Sequence, residues 1–179
     1  MDRDEIIQNY LDKAWASRRT GDYETSKKHL ANAHALCSDT DYLFLGRLFH
    51  IYRQHEADHL NYEKALEFNF KSLLFYKSSK NQNRIAHALR HVADLQVQLG
   101  QLDIAKSNYE MAIKQYRNLQ TVSDIDLSNA LRGYALLLEI LDQPQAALSE
   151  WKEILVLYRR HSFEEGIAEA SDKIMQLKM

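Results

Sequence analysis

The sequence predicts an all-helical fold of repeated helix pairs, and three observations carry that prediction. Turn residues are scarce: 5 glycines and 1 proline in 179 residues, about 3% of the chain against roughly 12% in average usage. Sandwiches, barrels and hairpin meanders need residues with positive or fixed φ at every reversal, and so few cannot supply a dozen tight turns. Apolar residues make up 45% and charged residues 27%, too apolar for disorder and enough to build the core of one domain. The chain is also self-similar. Ala88-Leu89-Arg90-His91-Val92-Ala93 recurs 42 residues on as Ala130-Leu131-Arg132-Gly133-Tyr134-Ala135, and Tyr116-Arg117 recurs at the same offset as Tyr158-Arg159. Gly21-Asp22-Tyr23-Glu24 and Gly100-Gln101-Leu102-Asp103 lie 79 residues apart, two periods, with Tyr62-Glu63-Lys64-Ala65 at the intermediate phase.

The elements follow in order from the punctuation. Helix pairs are expected at about 3–19 with 23–37, 41–56 with 61–78, 83–99 with 102–119, and 124–141 with 144–160. These make repeats of about 3–38, 40–79, 82–120 and 123–161 within a single domain, 1–179. Gly21 and Gly100 each follow a first helix, where a glycine closes the last turn in a left-handed conformation that a Cβ would penalise. In the last pair Asp142-Gln143-Pro144 takes the place of that turn. A capping helix, 162–178, closes the chain: Ser162-Phe163-Glu164-Glu165 reads as a capping box, and Phe163, Ile167, Ala170, Ile174 and Leu177 recur at helical spacing among charged residues. Such a one-sided helix suits the end of a repeat array, so the chain is expected to be complete.

Two segments carry a closer resemblance. Tyr42-x-x-Leu45-Gly46-x-x-Phe49 and Ala105-x-x-x-Tyr109-x-x-Ala112 are the two halves of a pattern that resembles the tetratricopeptide repeat (TPR). The period near 40 is similar to the elongated repeats of the kinesin light chain type. Departures stand beside the matches: Ser26 and Leu30 replace the small and aromatic residues of the first repeat, Asn69 takes the aromatic position of the second, and Trp151 and Ile154 take the two positions of the fourth. The resemblance implies an α-solenoid of four TPR-like helix pairs plus a C-terminal capping helix, and a function in protein or peptide binding through a concave groove lined by the first helices.

Carried over position by position, the resemblance implies a groove presenting Trp15, Arg18 and Arg19, then Arg47 and His50, then His87, Arg90 and Asp94, then Arg132 and Leu136. A guanidinium is a planar fork suited to bidentate capture of carboxylates, so the partner is expected to be a protein or peptide with acidic groups. Trp15 adds a rigid aromatic anchor on which Arg18 or Arg19 can stack. The lysine and asparagine clamp of chaperone-binding relatives is not reproduced, because Leu11 and Trp15 stand where its first residues would. A second surface competes: Phe68, Phe70, Leu73, Leu74, Phe75 and Tyr76 form a stripe wider than one packed face requires. Self-association through Phe68, Phe70, Leu74 and Phe75 is one account of it, and a broad core contact the other.

Chemistry is weakly signalled. His55-Glu56-Ala57-Asp58-His59 matches the H-E-x-x-H pattern of zinc peptidases. It falls at the end of one helix and in the turn after it, and it lacks the metzincin continuation, so a solvated turn is expected and no metal. His87 and His91 are spaced i and i+4, a spacing that can bind a metal or respond to pH; the plainer reading is polar groove lining. No P-loop, G-x-G-x-x-G, G-x-S-x-G or C-x-x-C is present, so no cofactor and no enzymatic activity are expected. A net charge of −2 gives no bulk attraction to nucleic acid. No secretory h-region precedes the first helix, and the most apolar stretch, 134–141, falls far short of the ~20 residues that span a bilayer. The lone Cys37 fits a reducing compartment, so the expected setting is cytoplasmic and the expected role a scaffold or adaptor. The alternatives are a ligand- or peptide-responsive regulator and, more remotely, a metal-dependent hydrolase using His55, Glu56 and His59.

Overall fold

The computed structural model describes residues 2–120 and 123–178. Its described residues hold nine helices: α1 (Arg3–Arg19), α2 (Tyr23–Leu36), α3 (Tyr42–Asp58), α4 (Tyr62–Ser78), α5 (Gln82–Gln98), α6 (Leu102–Arg117), α7 (Asp124–Ile140), α8 (Pro144–Arg160) and α9 (Glu164–Gln176). Every helix expected from the sequence is present with ends close to those read from it. None is long and apolar enough to cross a membrane.

How the helices stop differs from the expectation. Gly21 and Gly100 take φ of 79° and 71°, but Leu60, Lys80, Asp142 and Ser162 adopt the same left-handed region at 51–60°. Five of these six turns therefore share a backbone pattern rather than a residue type, and at Lys80 the Asn81 amide bonds the Ser79 hydroxyl at 3.3 Å instead. The amide two residues past the last helical turn bonds a carbonyl five residues back: Asp22 to Ser17, Asn61 to Glu56, Gln101 to Gln96 and Gln143 to Leu138, all at 2.9 Å, and Phe163 to Tyr158 at 3.1 Å. That bond is the Schellman closure, and it offsets a left-handed penalty of about 1–2 kcal/mol for a residue with a Cβ. Ser162 is thus the left-handed turn residue and not the N-cap of α9; Phe163 holds the cap position without a side-chain bond. A full capping box lies instead at α1. There Asp2 accepts from the Glu5 amide at 2.8 Å and Glu5 accepts from the Asp2 amide at 3.0 Å.

The helices group into two compact units, Met1–Ala88 and Leu89–Met179, with the boundary inside α5. In the first, Ile7, Leu11 and Ala14 of α1 meet Leu30 and Ala33 of α2 and Leu48 and Ile51 of α3, all fully buried. Each such Leu or Ile contributes about 1.5–3 kcal/mol by leaving water. Small residues set the close crossings. Ser26 donates to the Ala14 carbonyl at 2.6 Å, Ser72 donates to the Gly46 carbonyl at 2.7 Å, and the Tyr76 ring fills the space over Gly46. Asn69, where an aromatic was the pattern, is buried and donates to the Ala88 carbonyl at 2.9 Å, so its amide substitutes a specific bond for ring packing. Ion pairs link successive repeats of this unit, Arg18 with Asp58 and Arg47 with Asp12.

The second unit repeats the scheme. Ala93, Ala105, Tyr109 and Leu137 form a buried cluster, with the Tyr109 ring over Gly133. Trp151 is fully buried and gives its indole N–H to Glu139 at 2.7 Å, and Lys173 of α9 reaches the same carboxylate at 2.7 Å. Packing of α9 on α8 rests on buried Ala170, on Gly166, and on Phe163 set edge-on against Tyr158 at 5.2 Å.

Candidate partner-binding cavities

Within the first unit a cavity of about 360 Å³ opens beside α1, α3 and the start of α5. Trp15, Arg47, His50 and His87, four of the residues expected in a groove, line it together. The rings form a ladder: Trp15 stacks on His50 at 6.3 Å and 22°, and His50 meets His87 at 5.0 Å. Arg18 lies over the Trp15 ring at 5.2 Å, as the i, i+3 spacing allowed, but its guanidinium forks onto Asp58 with both bonds at 2.7 Å. Arg19 is exposed and outside the cavity.

The sequence reading missed Gln8, Asp12, Ile51, Tyr76 and Arg84, which complete the lining. Arg47 gives Nη2 to the Asp12 carboxylate at 2.6 Å. Burial pushes the Asp12 carboxyl up, but the bonds from Arg47 and Gln8 and the Arg47 charge outweigh it and hold the group below its usual value. Tyr76 beneath them is raised by burial, against the pull of the Arg84, Arg47 and Arg53 charges and the Ser72 bond. A signal for Arg84 was present in the sequence: Arg47-x-x-His50 recurs as Arg84-x-x-His87, 37 residues later.

A cavity of about 320 Å³ within the second unit gathers Arg90, Asp94, Arg132 and Leu136, all four residues expected there. Val97, Leu137 and Ile140 make one wall apolar, and Asn129 and Gln98 add amides. Asp94 is a hub. It accepts from Tyr109 at 2.6 Å and from Arg90 at 3.3 Å, and His91 Nδ1 lies 3.0 Å from it. Burial and the Asp94 charge drive the Tyr109 phenol far above its ordinary range. Arg132 is bidentate to Glu169 of α9, at 2.7 and 2.5 Å. The forks of Arg18, Arg47, Arg90 and Arg132 therefore already hold carboxylates of this chain. For Arg18, Arg47 and Arg132 the carboxylate sits on another helix, a pairing invisible one helix at a time, whereas Arg90 and Asp94 share α5 at i, i+4.

The aromatic stripe of α4 divides. Phe75 and Phe68 stack on Phe49 at 5.5 and 6.2 Å, and Phe68 also stacks on Tyr52 at 5.4 Å, so these two belong to a ring cluster of the unit. Phe70 and Leu74 stay 49% and 63% exposed.

The H-E-x-x-H segment is not the solvated turn that was expected. His55 through Asp58 form the last turn of α3, and His55 is only 3% exposed. Ser26 gives its proton to Ala14, so the 2.8 Å contact to Ser26 Oγ assigns the His55 proton to Nε2. Burial, then the charges of Arg18 and Lys27, depress the imidazole below its ordinary value. Glu56 is engaged by Asn61 and Lys64, and His59 Nδ1 lies 2.7 Å from the His55 carbonyl. Each motif residue thus has a partner of its own, which is not the convergence on one metal that the motif requires.

No protein-family model matches the sequence, and no curated protein matches it. Among solved structures the chain is similar to the N-terminal domain of stress-induced protein-1 (STI-1) from C. elegans, at a TM-score of 0.57 and 12% identity over 76% of this chain and 98% of that one. With the order and pairing of the helices, that likeness shows a tetratricopeptide-like helical repeat fold, as the two half-motifs predicted.

Proposed function

We propose that the protein is a non-enzymatic binding module, a scaffold or adaptor that takes a peptide or helix of a partner protein on the faces of its first helices. One observation carries this reading: in each unit the residues expected at such a face line an open cavity, Trp15, Arg47, His50 and His87 in one and Arg90, Asp94, Arg132 and Leu136 in the other. Sites of 300–1,000 Å³ with an apolar body and a few placed polar groups are the usual form of a recognition pocket.

The intrachain pairs shape what such a partner gains. An acidic group arriving at Arg47 or Arg90 exchanges with Asp12 or Asp94, so charge pairs are swapped rather than created, and electrostatics sets specificity more than affinity. Affinity then comes from apolar burial, for which Leu136, Val97 and Ile140 form the wall beside Arg90 and Arg132. A cytoplasmic setting fits the lone, half-buried Cys37.

The test is peptide-phage display against the whole chain, followed by calorimetric titration of the enriched peptides. An Arg47→Glu, Arg90→Glu, Arg132→Glu variant is expected to weaken them by more than about tenfold, the equivalent of 1.4 kcal/mol. Equal affinity in a variant with unchanged circular dichroism would refute the assignment.

A further inference from the structure

In the first unit three helices each present two residues one turn apart to the same cavity: Asp12 and Trp15 on α1, Arg47 and His50 on α3, and Arg84 and His87 on α5. The outer row is charged, and it begins with a satisfied pair, Arg47 on Asp12 at 2.6 Å. Arg84 stands next in that row. It is exposed, and among the described residues no carboxylate forms an ion pair with it. The inner row is the ring ladder that ends at His50 and His87, 5.0 Å apart.

We propose that this cavity is an oxyanion site for phosphate, free or as a monoester, held between Arg47 and Arg84 with the imidazoles of His50 and His87 beside it. Two arginines against one aspartate leave the lining with net positive charge in a chain whose overall charge is −2. A carboxylate is planar, carries one charge and fills one guanidinium fork. A phosphate carries about −1.5 to −2 charges near neutral pH and three acceptor oxygens, so it bridges two forks from successive repeats while Asp12 keeps one nitrogen of Arg47. Tyr76 and Ile51 line the same cavity from buried positions, which strengthens each charged bond relative to open water. The volume of about 360 Å³ leaves room for the ester substituent. This goes beyond the binding-module reading and does not depend on it, because a free phosphate ester and a phosphorylated side chain of a partner present the same group.

The test titrates the whole chain at fixed ionic strength with inorganic phosphate, a capped phosphoserine peptide, a hexose phosphate, and acetate as the monoanion control, following backbone and imidazole NMR signals. Saturable phosphate binding is expected, with shifts at His50, His87 and Arg84. Arg84→Ala, at an exposed position, is expected to weaken it at least about tenfold, while Arg19→Ala, an exposed cation outside the cavity, leaves it unchanged. The proposal is overturned by the absence of saturable phosphate binding, by acetate binding as tightly at the same residues, or by an unaltered Arg84→Ala variant. With the site established, tighter binding of the phosphopeptide assigns the anion to a partner protein, and tighter binding of the hexose phosphate assigns it to a free metabolite. Failure of the binding-module reading is separate: it is the triple arginine variant binding peptides as wild type does.

Discussion

Replacing Gly46 with alanine is expected to destabilise the protein, although the same change at an ordinary helix position stabilises by about 1 kcal/mol. A Cβ there would press on Cε1 and Cδ1 of Tyr76, closer than real Cβ atoms approach their neighbours. Neither side can yield cheaply. Tyr76 is 2% exposed, so its ring has no solvent to turn into, and Ser72 ties α4 to α3 at this point by its 2.7 Å bond to the Gly46 carbonyl. Overpacking a rigid contact costs about 1–3 kcal/mol, and parting the helices enough to relieve it forfeits a buried hydrogen bond worth about 1 kcal/mol. Set against the propensity gain, the net loss is about 1–3 kcal/mol, or a fall in Tm of roughly 3–10 °C for a chain of this size. Thermal melts followed by far-UV circular dichroism measure it. A Gly46→Ala, Tyr76→Leu double variant is expected to recover about 1 kcal/mol relative to the sum of the single changes. A Gly46→Ala protein with an unchanged or higher Tm would show that the glycine does not serve close approach, and the reasoning would fall.

Other outcomes follow from the same contacts. Ser26→Ala strands the buried His55 Nε2 proton and is expected to cost about 1–3 kcal/mol in urea titrations; a loss under about 0.5 kcal/mol would contradict the assigned tautomer. Because His55 is depressed in the fold, the native state binds fewer protons than the unfolded chain. Its contribution is therefore complete above the unfolded value of about 6.5 and is lost as pH falls through the folded value. The stability difference between wild type and His55→Gln should shrink from pH 8 to pH 5, and a difference that stays constant would exclude the linkage. The Cys37 thiol is pushed up to about 11, by burial first and then by Asp41. Native protein at pH 8 should then react with iodoacetamide about 100-fold more slowly than the denatured chain, since the thiolate is the nucleophile; equal rates would refute the burial argument.

The sequence by itself determined where the helices run and how they pair. Helix formation and termination are local: Gly21 and Gly100 mark turns by the conformation they permit, and Pro144 suits the first turn of α8. The half-motifs around Gly46 and Tyr109 could carry the repeat pattern because close crossings need a missing side chain opposite a large one, as Gly46 faces Tyr76 and Gly133 faces Tyr109. Eight of the groove residues could be named for the same reason, through repeat register, including Trp15, Arg47 and Leu136. What each charged group faces was decided only by tertiary structure. Arg132 and Glu169 are 37 positions apart and Arg18 and Asp58 are 40, and which carboxylate meets which guanidinium depends on how far one repeat is shifted and rotated against the next. The same shift buried His55 against Ser26 and brought Arg84, which the per-helix reading had left out of the groove, into the first unit's cavity. The left-handed turn at Leu60 was hidden for a different reason: the Schellman bond that stabilises it is made by the backbone, and no side chain records it.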